Sequence, residues 1–444
     1  MVNVRLAAIA ALAMQLLVSP ASGQDSLFVP LFTYRTGPFA NSGGPIANGM
    51  RDYLTLLNER DGGIGGIRLL IEECETGYDN AKGVACYEAV KSRQPVMINP
   101  WSTGITLELI PRATADQIPI LSMAYGLSAS ARGNTFPWIF NPPATYWDGL
   151  SMIIRHIASE SGGLRKLAGQ KLGFLYLDSG FGKEPIPLFQ SLSRDLGFEL
   201  KLYPVQPAQM QQQAELWKQI VSDRRDYVVM YGWGAMNPTS IKEAVANGFP
   251  MAKLLSIWWF GDADLQHFGA AATGLKTLNW HNVGQGFPLM QDILKLVVDR
   301  NKSLVKSRDE VGQLLYSRGV YNSLLISEAI RTAQKLSGKK AVTGQDVRRG
   351  LENLSIDDAR LREIGLDGFT EPIKLSCVDH NGSRPAYIQQ WHDNKWLKLS
   401  GLIQPMTSRL QPLLDAAEKE FVQKHAPWPA RKEFCDKPEA LAGQ

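Results

Sequence analysis

Histidine is scarce in this chain, with six residues among 444, and none of them stands in a nucleophile, metal-ligand or phosphate motif. The four cysteines form no CxxC pair and no cluster with histidine, which argues against a zinc site. A GxSxG elbow is lacking, and the paired acids Glu72-Glu73 and Asp357-Asp358 read as solvated faces. The glycine-rich segment from Gly62 to Gly66 follows a helical stretch, so it reads as a helix stop and not as a dinucleotide turn. A lone His281 reads as structural. These absences leave catalysis without a constellation to carry it, and no cofactor is expected. An excess of one charge is lacking too: 47 Lys and Arg against 43 Asp and Glu leave a net +4, scattered and not in blocks, so a nucleic-acid footprint is absent.

What is present begins with Arg5, an apolar run over 6–18, the small-residue stretch Pro20-Ala21-Ser22-Gly23, and then polar residues. That order is the pattern of a cleaved secretory signal over 1–23. The run is shorter than the ~20 residues that span a bilayer, and no cysteine near its end could carry a lipid. Export without direct membrane anchoring is therefore expected, into a compartment where thiols can pair. Cys74 would end a strand and Cys86 would lie in the following helix, which suits a short local bridge. Cys377 and Cys435 would then staple the C-terminal tail to the body. Four cysteines allow three pairings, and spacing alone does not choose among them.

With 44% of its residues hydrophobic, the chain can bury substantial cores, and its length exceeds one ordinary domain. From Ser26 onward, short apolar runs alternate with longer amphipathic segments, as in a parallel sheet covered by helices. Segments 27–32, 67–72, 96–98 and 118–122 read as strands, with helices at 45–60, 80–92 and 105–115. After the proline-bounded segment 136–143 the pattern restarts, with strands at 172–177, 199–203, 227–231 and 254–258 and helices at 183–196 and 211–223. Helices at 289–301, 320–336 and 343–353 exceed the needs of a second lobe and are expected to return to the first. Short strands at 373–376, 386–392 and 395–399 follow, and the remainder reads as an extended tail.

Open parallel sheets bind ligands outside the carboxyl ends of their strands. The loop at 34–42, the turn Asn99-Pro100-Trp101-Ser102-Thr103-Gly104 and the loop Ala124-Tyr125-Gly126 fall on that edge. The turn at Trp101 leads from a strand into a helix. Its hydroxyls can cap the helix, while free N–H groups and the positive end of the helix dipole favour an anion. In the second half, the exit loops carry Phe181-Gly182, Trp233-Gly234 and Trp259-Phe260-Gly261-Asp262, pairing glycine with an aromatic ring. Trp101, Tyr125, Phe181, Trp233 and Trp259 would offer apolar faces to a flat ligand such as an aromatic carboxylate. The same rings could cage a cation, with Asp262 as its counter-charge.

The loop Gly37-Pro38-Phe39-Ala40, the helix end Asn58-Glu59-Arg60-Asp61-Gly62-Gly63-Ile64 and the Asp178 to Gly182 loop together resemble a known family. Over residues 27–399 the chain is similar to a periplasmic substrate-binding protein of an ABC importer, of the branched-chain amino acid (leucine/isoleucine/valine) type. The resemblance implies an α/β type I periplasmic-binding fold: two doubly wound parallel-sheet lobes, a ligand cleft between them and multiple hinge crossings. One lobe would comprise 24–143 and 281–360, the other 144–280 and 361–410, with a tail over 411–444. It also implies that Ser102 and Thr103, and likewise Ala124, Tyr125 and Gly126, offer hydroxyl and backbone groups to a carboxylate, with Phe181 as the aromatic of the second lobe's first loop. Three departures stand out. Asn41-Ser42 replace an aromatic, leaving Ser42 as a polar contact; Tyr125-Gly126 replace a hydroxyl-bearing pair; and Asp262 lies slightly beyond the place of the acid that would hold an α-amino group. The expected ligand is therefore a small organic acid, aromatic or apolar, set beside an amino acid. The implied setting is a periplasmic monomer whose partner is a membrane permease. A binding module for a membrane sensor and a secreted hydrolase are the other function classes left open.

Overall fold

The computed structural model describes residues 26–382, 385–431, 433 and 435, so the signal expected over 1–23 lies outside the described residues. The first sheet starts with β1 (Ser26–Thr33) and β2 (Arg68–Glu75), paired in parallel with Ser26 opposite Arg68. The crossover between them is α1 (Ala40–Asp61), which stops where Gly62 takes a left-handed φ of 69°. Seven of the eight residues of β1 are buried, as an apolar strand covered on both faces must be. After α2 (Asn80–Lys91), the expected strand at 96–98 is reduced to a Val96 N–H bond to the Phe28 carbonyl (3.0 Å) and a parallel bridge from Ile98 to Ile120. Helix α3 (Thr103–Asp116) leads to β3 (Ile120–Leu121), which pairs in parallel with β4 (Ile139–Phe140).

Helix α4 (Tyr146–Glu160), begun by a Thr145/Asp148 capping box, opens the second half. There β5 (Lys171–Leu177), β6 (Glu199–Val205), β7 (Tyr227–Tyr231), β8 (Leu254–Ser256) and β9 (Lys276–Asn279) form parallel pairs. Between them run α5 (Gly180–Lys183), α6 (Ile186–Leu196), α7 (Ala214–Ser222) and α8 (Met236–Ala246). The chain then returns to the first sheet through α9 (Pro288–Ile293), α10 (Leu314–Ser337) and α11 (Gly344–Glu352). Helix α10 lies against α1 at very short range. A Cβ on Gly49 would stand 2.0 Å from the Tyr316 carbonyl oxygen, and one on Gly319 would stand 2.1 Å from that of Ile46. Only glycine on both helices permits this crossing.

Strand β10 (Ser355–Ile356), α12 (Asp358–Glu363) and β11 (Ile373–Lys374) follow. β11 pairs with β10 and does not join the second sheet. β12 (Tyr387–His392) and β13 (Lys395–Lys398) do join it, antiparallel, giving the seven-strand order β13-β12-β9-β8-β7-β5-β6.

Three further expectations need correction. Helix α1 starts five residues early and contains Pro45, and α10 starts at Leu314, six residues before the expected 320. The extended tail is in fact α13 (Thr407–Lys424), with Pro412 inside it. Leu410, Leu413, Leu414, Ala417 and Phe421 recur at helical spacing and pack onto the body, and this apolar stripe outweighs one proline near the helix start. The structure also fixes the disulfides as Cys74–Cys86 and Cys377–Cys435, separated by 12 and 58 residues.

Closing the longer loop removes more freedom from the unfolded chain, about 4 kcal/mol against about 3 for the shorter one. Cys377→Ser with Cys435→Ser should therefore lower the urea midpoint more than Cys74→Ser with Cys86→Ser. Circular dichroism measures both, and a reversed order would reject loop length as the deciding quantity.

Candidate functional site

The carboxyl ends of the two sheets face each other, and the expected loops meet there. Two residues on neighbouring loops of the first sheet, Trp101 and Ala124, hold left-handed backbones with φ of 50° and 54°. For non-glycine residues this costs ~1 kcal/mol or more each, and such strain concentrates at functional sites. The hydroxyls divide their tasks. Ser102 is the N-cap of α3, its oxygen accepting the Ile105 N–H at 3.3 Å. Thr103 Oγ1 accepts the Gly126 N–H at 3.3 Å and donates to the Tyr146 hydroxyl at 3.5 Å. Tyr146 also accepts from Trp259 Nε1 at 3.0 Å, so its own O–H proton stays free to donate.

The rings converge across the junction. Tyr125 from the first sheet stacks on Trp259 from the second, with centroids 4.5 Å apart. Tyr34 meets Trp101 at 6.4 Å on its own side and Trp233 at 6.2 Å on the other, and Trp233 in turn meets Trp259 at 5.0 Å. Phe181 packs on Tyr146 at 5.2 Å. The Tyr34 and Tyr125 hydroxyls lie 3.3 Å apart. All five rings expected from the sequence are at most 2% exposed, and burial holds the phenols of Tyr34, Tyr125 and Tyr146 well above their ordinary pKa, so they are neutral donors. Ser42 lies buried in the first turn of α1. Its Oγ and the Trp101 Nε1 have no hydrogen-bond partner among the described residues.

The acids are arranged differently from the expectation. One oxygen of Asp262 accepts the Leu314 N–H at 2.7 Å, which places it at the start of α10. Asp264, two residues on, is the buried acid of the junction. It accepts from Asn41 of the first sheet's side (3.0 Å), from Asn237 (3.1 Å) and from the Gly261 N–H (2.9 Å). Glu184, just after α5, accepts the Ser128 N–H at 2.8 Å with one oxygen, while its other oxygen has no partner. Desolvation pushes each of these two carboxyls up to about 7. A main-chain bond from the Ala235 N–H to the Pro38 carbonyl, 2.8 Å, joins the two sides as well. It requires Gly234, at φ 60°, where a Cβ would stand 2.6 Å from the same carbonyl oxygen.

The five expected rings and Thr103 thus come together at this junction, where Tyr146, Asp264 and Glu184, which no local sequence pattern marks, lie with them. Among the described residues no group of three or more His, Cys, Asp or Glu side chains is placed to hold a metal ion, and no helix is long and apolar enough to cross a membrane. A groove of about 760 Å³ between α3 and α13, lined in part by Leu107, Pro111, Leu127 and Phe421, shares no lining residue with this junction.

Glu184 supplies a pH test. Its carboxyl keeps a proton in the folded chain up to about pH 7, whereas an unfolded one loses it near 4.5. Stability is therefore greatest below the unfolded value and declines as pH rises toward 7. Glu184→Gln retains the acceptor for Ser128 and removes the ionisation, so it should stabilise the protein by on the order of 3 kcal/mol at pH 8 and much less at pH 5. Thermal unfolding at the two pH values checks this, and equal shifts at both would reject it.

Residues 26–395 match the family model described as periplasmic binding protein. Among solved structures, the chain is similar to a Pseudomonas fluorescens group protein described as an ABC transporter permease, with 34% identity, a TM-score of 0.83 and coverage of 92% of this chain and 99% of that one. It is similar in fold to a branched-chain amino acid ABC transporter protein from Thermus thermophilus with bound valine (19% identity, TM-score 0.74, 91% and 99% covered). A solute-binding protein of an ABC transporter from R. palustris, in complex with benzoate, is a further fold match (18% identity, TM-score 0.66, 86% and 97% covered). A search of curated proteins finds no significant match.

Proposed function

This chain belongs to the periplasmic binding protein family, as a solute-binding protein of ABC transporters, and from that premise we propose that it captures a small aromatic or apolar carboxylate between two lobes and delivers it to an importer's permease. In this reading one lobe comprises 24–143 and 281–360, the other 144–280 and 361–410. The protein works in the periplasm after export. Closure on the solute forms the contacts between Ala235 and Pro38, Asn41 and Asp264, and Ser128 and Glu184.

One observation carries the choice of solute: the junction has several donors to spare, and its one acid with an unpartnered oxygen, Glu184, keeps its proton up to about pH 7. The Tyr146 O–H proton, Trp101 Nε1 and Ser42 Oγ are unspent among aromatic faces, whereas Asp262 and Asp264 are already engaged. A flat apolar body with an acceptor-rich, anionic end supplies what these groups lack. An amino acid would bring an ammonium group, whereas Asp262 and Asp264 are engaged and burial holds Glu184 protonated up to about pH 7. Support also comes from relatives of the same fold that hold benzoate and 4-hydroxybenzoate, although another holds valine.

A thermal-shift panel of benzoate, phenylacetate, hexanoate, leucine and valine tests the reading. A ligand at a hundred times its Kd stabilises the native state by about 2.7 kcal/mol, which such a scan resolves. The acids should raise Tm and be recovered unchanged; a response confined to the amino acids overturns the proposal. Within this reading, Tyr146→Phe should weaken binding about tenfold, the loss of one hydrogen bond to a charged group, and should also lower the Tm of the free protein, because Trp259 Nε1 and Thr103 Oγ1 lose their acceptor. Calorimetry on the tightest acid measures it, and unaltered affinity would remove Tyr146 from the site.

A further inference from the structure

Arg318 lies in the second turn of α10, which brings a fully buried guanidinium to the place where the chain passes between the two sheets. It is tied on three sides. Nε donates to His281 Nε2 at 2.8 Å, Nη1 to the Trp258 carbonyl at 2.9 Å, and Nη2 to Asn279 Oδ1 at 2.8 Å. A guanidinium has five N–H groups, so two remain. Among the described residues Arg318 forms no ion pair, and the ionisable side chains that face it are His281, Tyr125, Tyr321 and Tyr387. None of these supplies a negative charge. Burial keeps the three phenols above their ordinary pKa, and it holds His281 well below its own, in the neutral form that accepts from Nε. Desolvation brings the guanidinium itself down only to about 9, so it is a cation at neutral pH without a compensating anion.

Its surroundings repeat the pattern. The guanidinium lies 3.8 Å from the centre of the Trp280 ring and 5.4 Å from that of Trp259, the ring that stacks on Tyr125. Trp258 and Tyr321 flank Trp280 at 4.9 and 6.0 Å. The indole N–H groups of Trp258 and Trp280 and the hydroxyl of Tyr321 are all buried without a hydrogen-bond partner among the described residues. One positive charge and several unspent donors thus gather beside the aromatic junction, with no acid among them. The hydroxyls of Ser102 and Thr103, by contrast, already have partners.

We propose that Arg318, with the donors of Trp258, Trp280 and Tyr321, is the counter-charge that receives the solute's carboxylate, and so the residue that selects an organic acid over its neutral analogue. The inference rests on the carboxylate reading above. A cation that is merely structural would hold the chain crossing through its three existing bonds and would treat charged and neutral solutes alike.

The test compares benzoate with benzamide, and hexanoate with hexanamide, by calorimetry on the full chain. Wild type should prefer each acid over its amide at least a hundredfold. Arg318→Gln should reduce that ratio to within about threefold, chiefly by weakening the acid, while Arg318→Lys retains part of the preference because it keeps a point charge without the fork. Tyr321→Phe, a change of one hydroxyl that guards against misfolding of the arginine variants, should weaken the acids about five- to tenfold and leave the amides unchanged. Acids that bind wild type with their preference intact in Arg318→Gln and Tyr321→Phe overturn this inference alone. Failure of every acid to bind wild type overturns the carboxylate reading and this inference with it.

Discussion

Thr103 joins the two halves of this molecule at one atom. Its hydroxyl accepts from the Gly126 main chain and donates to Tyr146, whose oxygen also holds the Trp259 indole. That chain of bonds fixes the relative height of the two neighbouring loops of the first sheet and of the aromatic exit loop of the second. The left-handed backbones of Trp101 and Ala124 lie on those loops, and their strain is tolerated because the surrounding packing over-determines it. Once Tyr146 and Trp259 are placed, Tyr125 can stack, Trp233 can close on Tyr34, and Phe181 gains a wall.

The junction joins two kinds of surface that seldom coexist cheaply: ring faces and buried polar groups. Aromatic side chains contribute large apolar contact with few rotatable bonds. Their indole and phenol hydrogens, however, need acceptors, and several here have none among the described residues. Each unmatched donor costs ~1–3 kcal/mol in isolation, so a solute that supplies acceptors gains more than its own contacts. The buried acids Asp264 and Glu184 stand apart from that role, because both accept main-chain or amide donors from the facing side.

Helix α10 links the two sheets, packing on α1 of the first and bonding through Arg318 to Trp258 and Asn279 of the second. Glycines 49 and 319 allow it to lie against α1 at backbone contact, and this placement carries Arg318 to the crossing of the chain. From sequence, the helix was legible only from Val320 onward, where the apolar spacing is regular. Its first six residues, Arg318 among them, carry little local signal, since an arginine before a helix reads as solvated surface. Trp101, Tyr125, Phe181, Trp233 and Trp259 were legible because each follows a strand and neighbours or nears a glycine. Tyr146 and Asp264 were not, because their roles come from partners such as Thr103 and Asn41, 43 and 223 residues away in the chain.

The sequence by itself determined the alternation of strand and helix, the restart of the pattern after Pro143, and the aromatic character of the loops at the strand ends. Those properties follow from periodicity and from glycine and proline placement, which act over a few residues. Tertiary structure alone decided which cysteines pair, that the C-terminal segment is a packed helix despite Pro412, and which polar groups at the junction are already spent. Hydrogen-bond satisfaction is largely a property of contacts between distant segments, so Asp262 at the start of α10 and Arg318 as a cation without an ion pair among the described residues emerge only when the chain is folded.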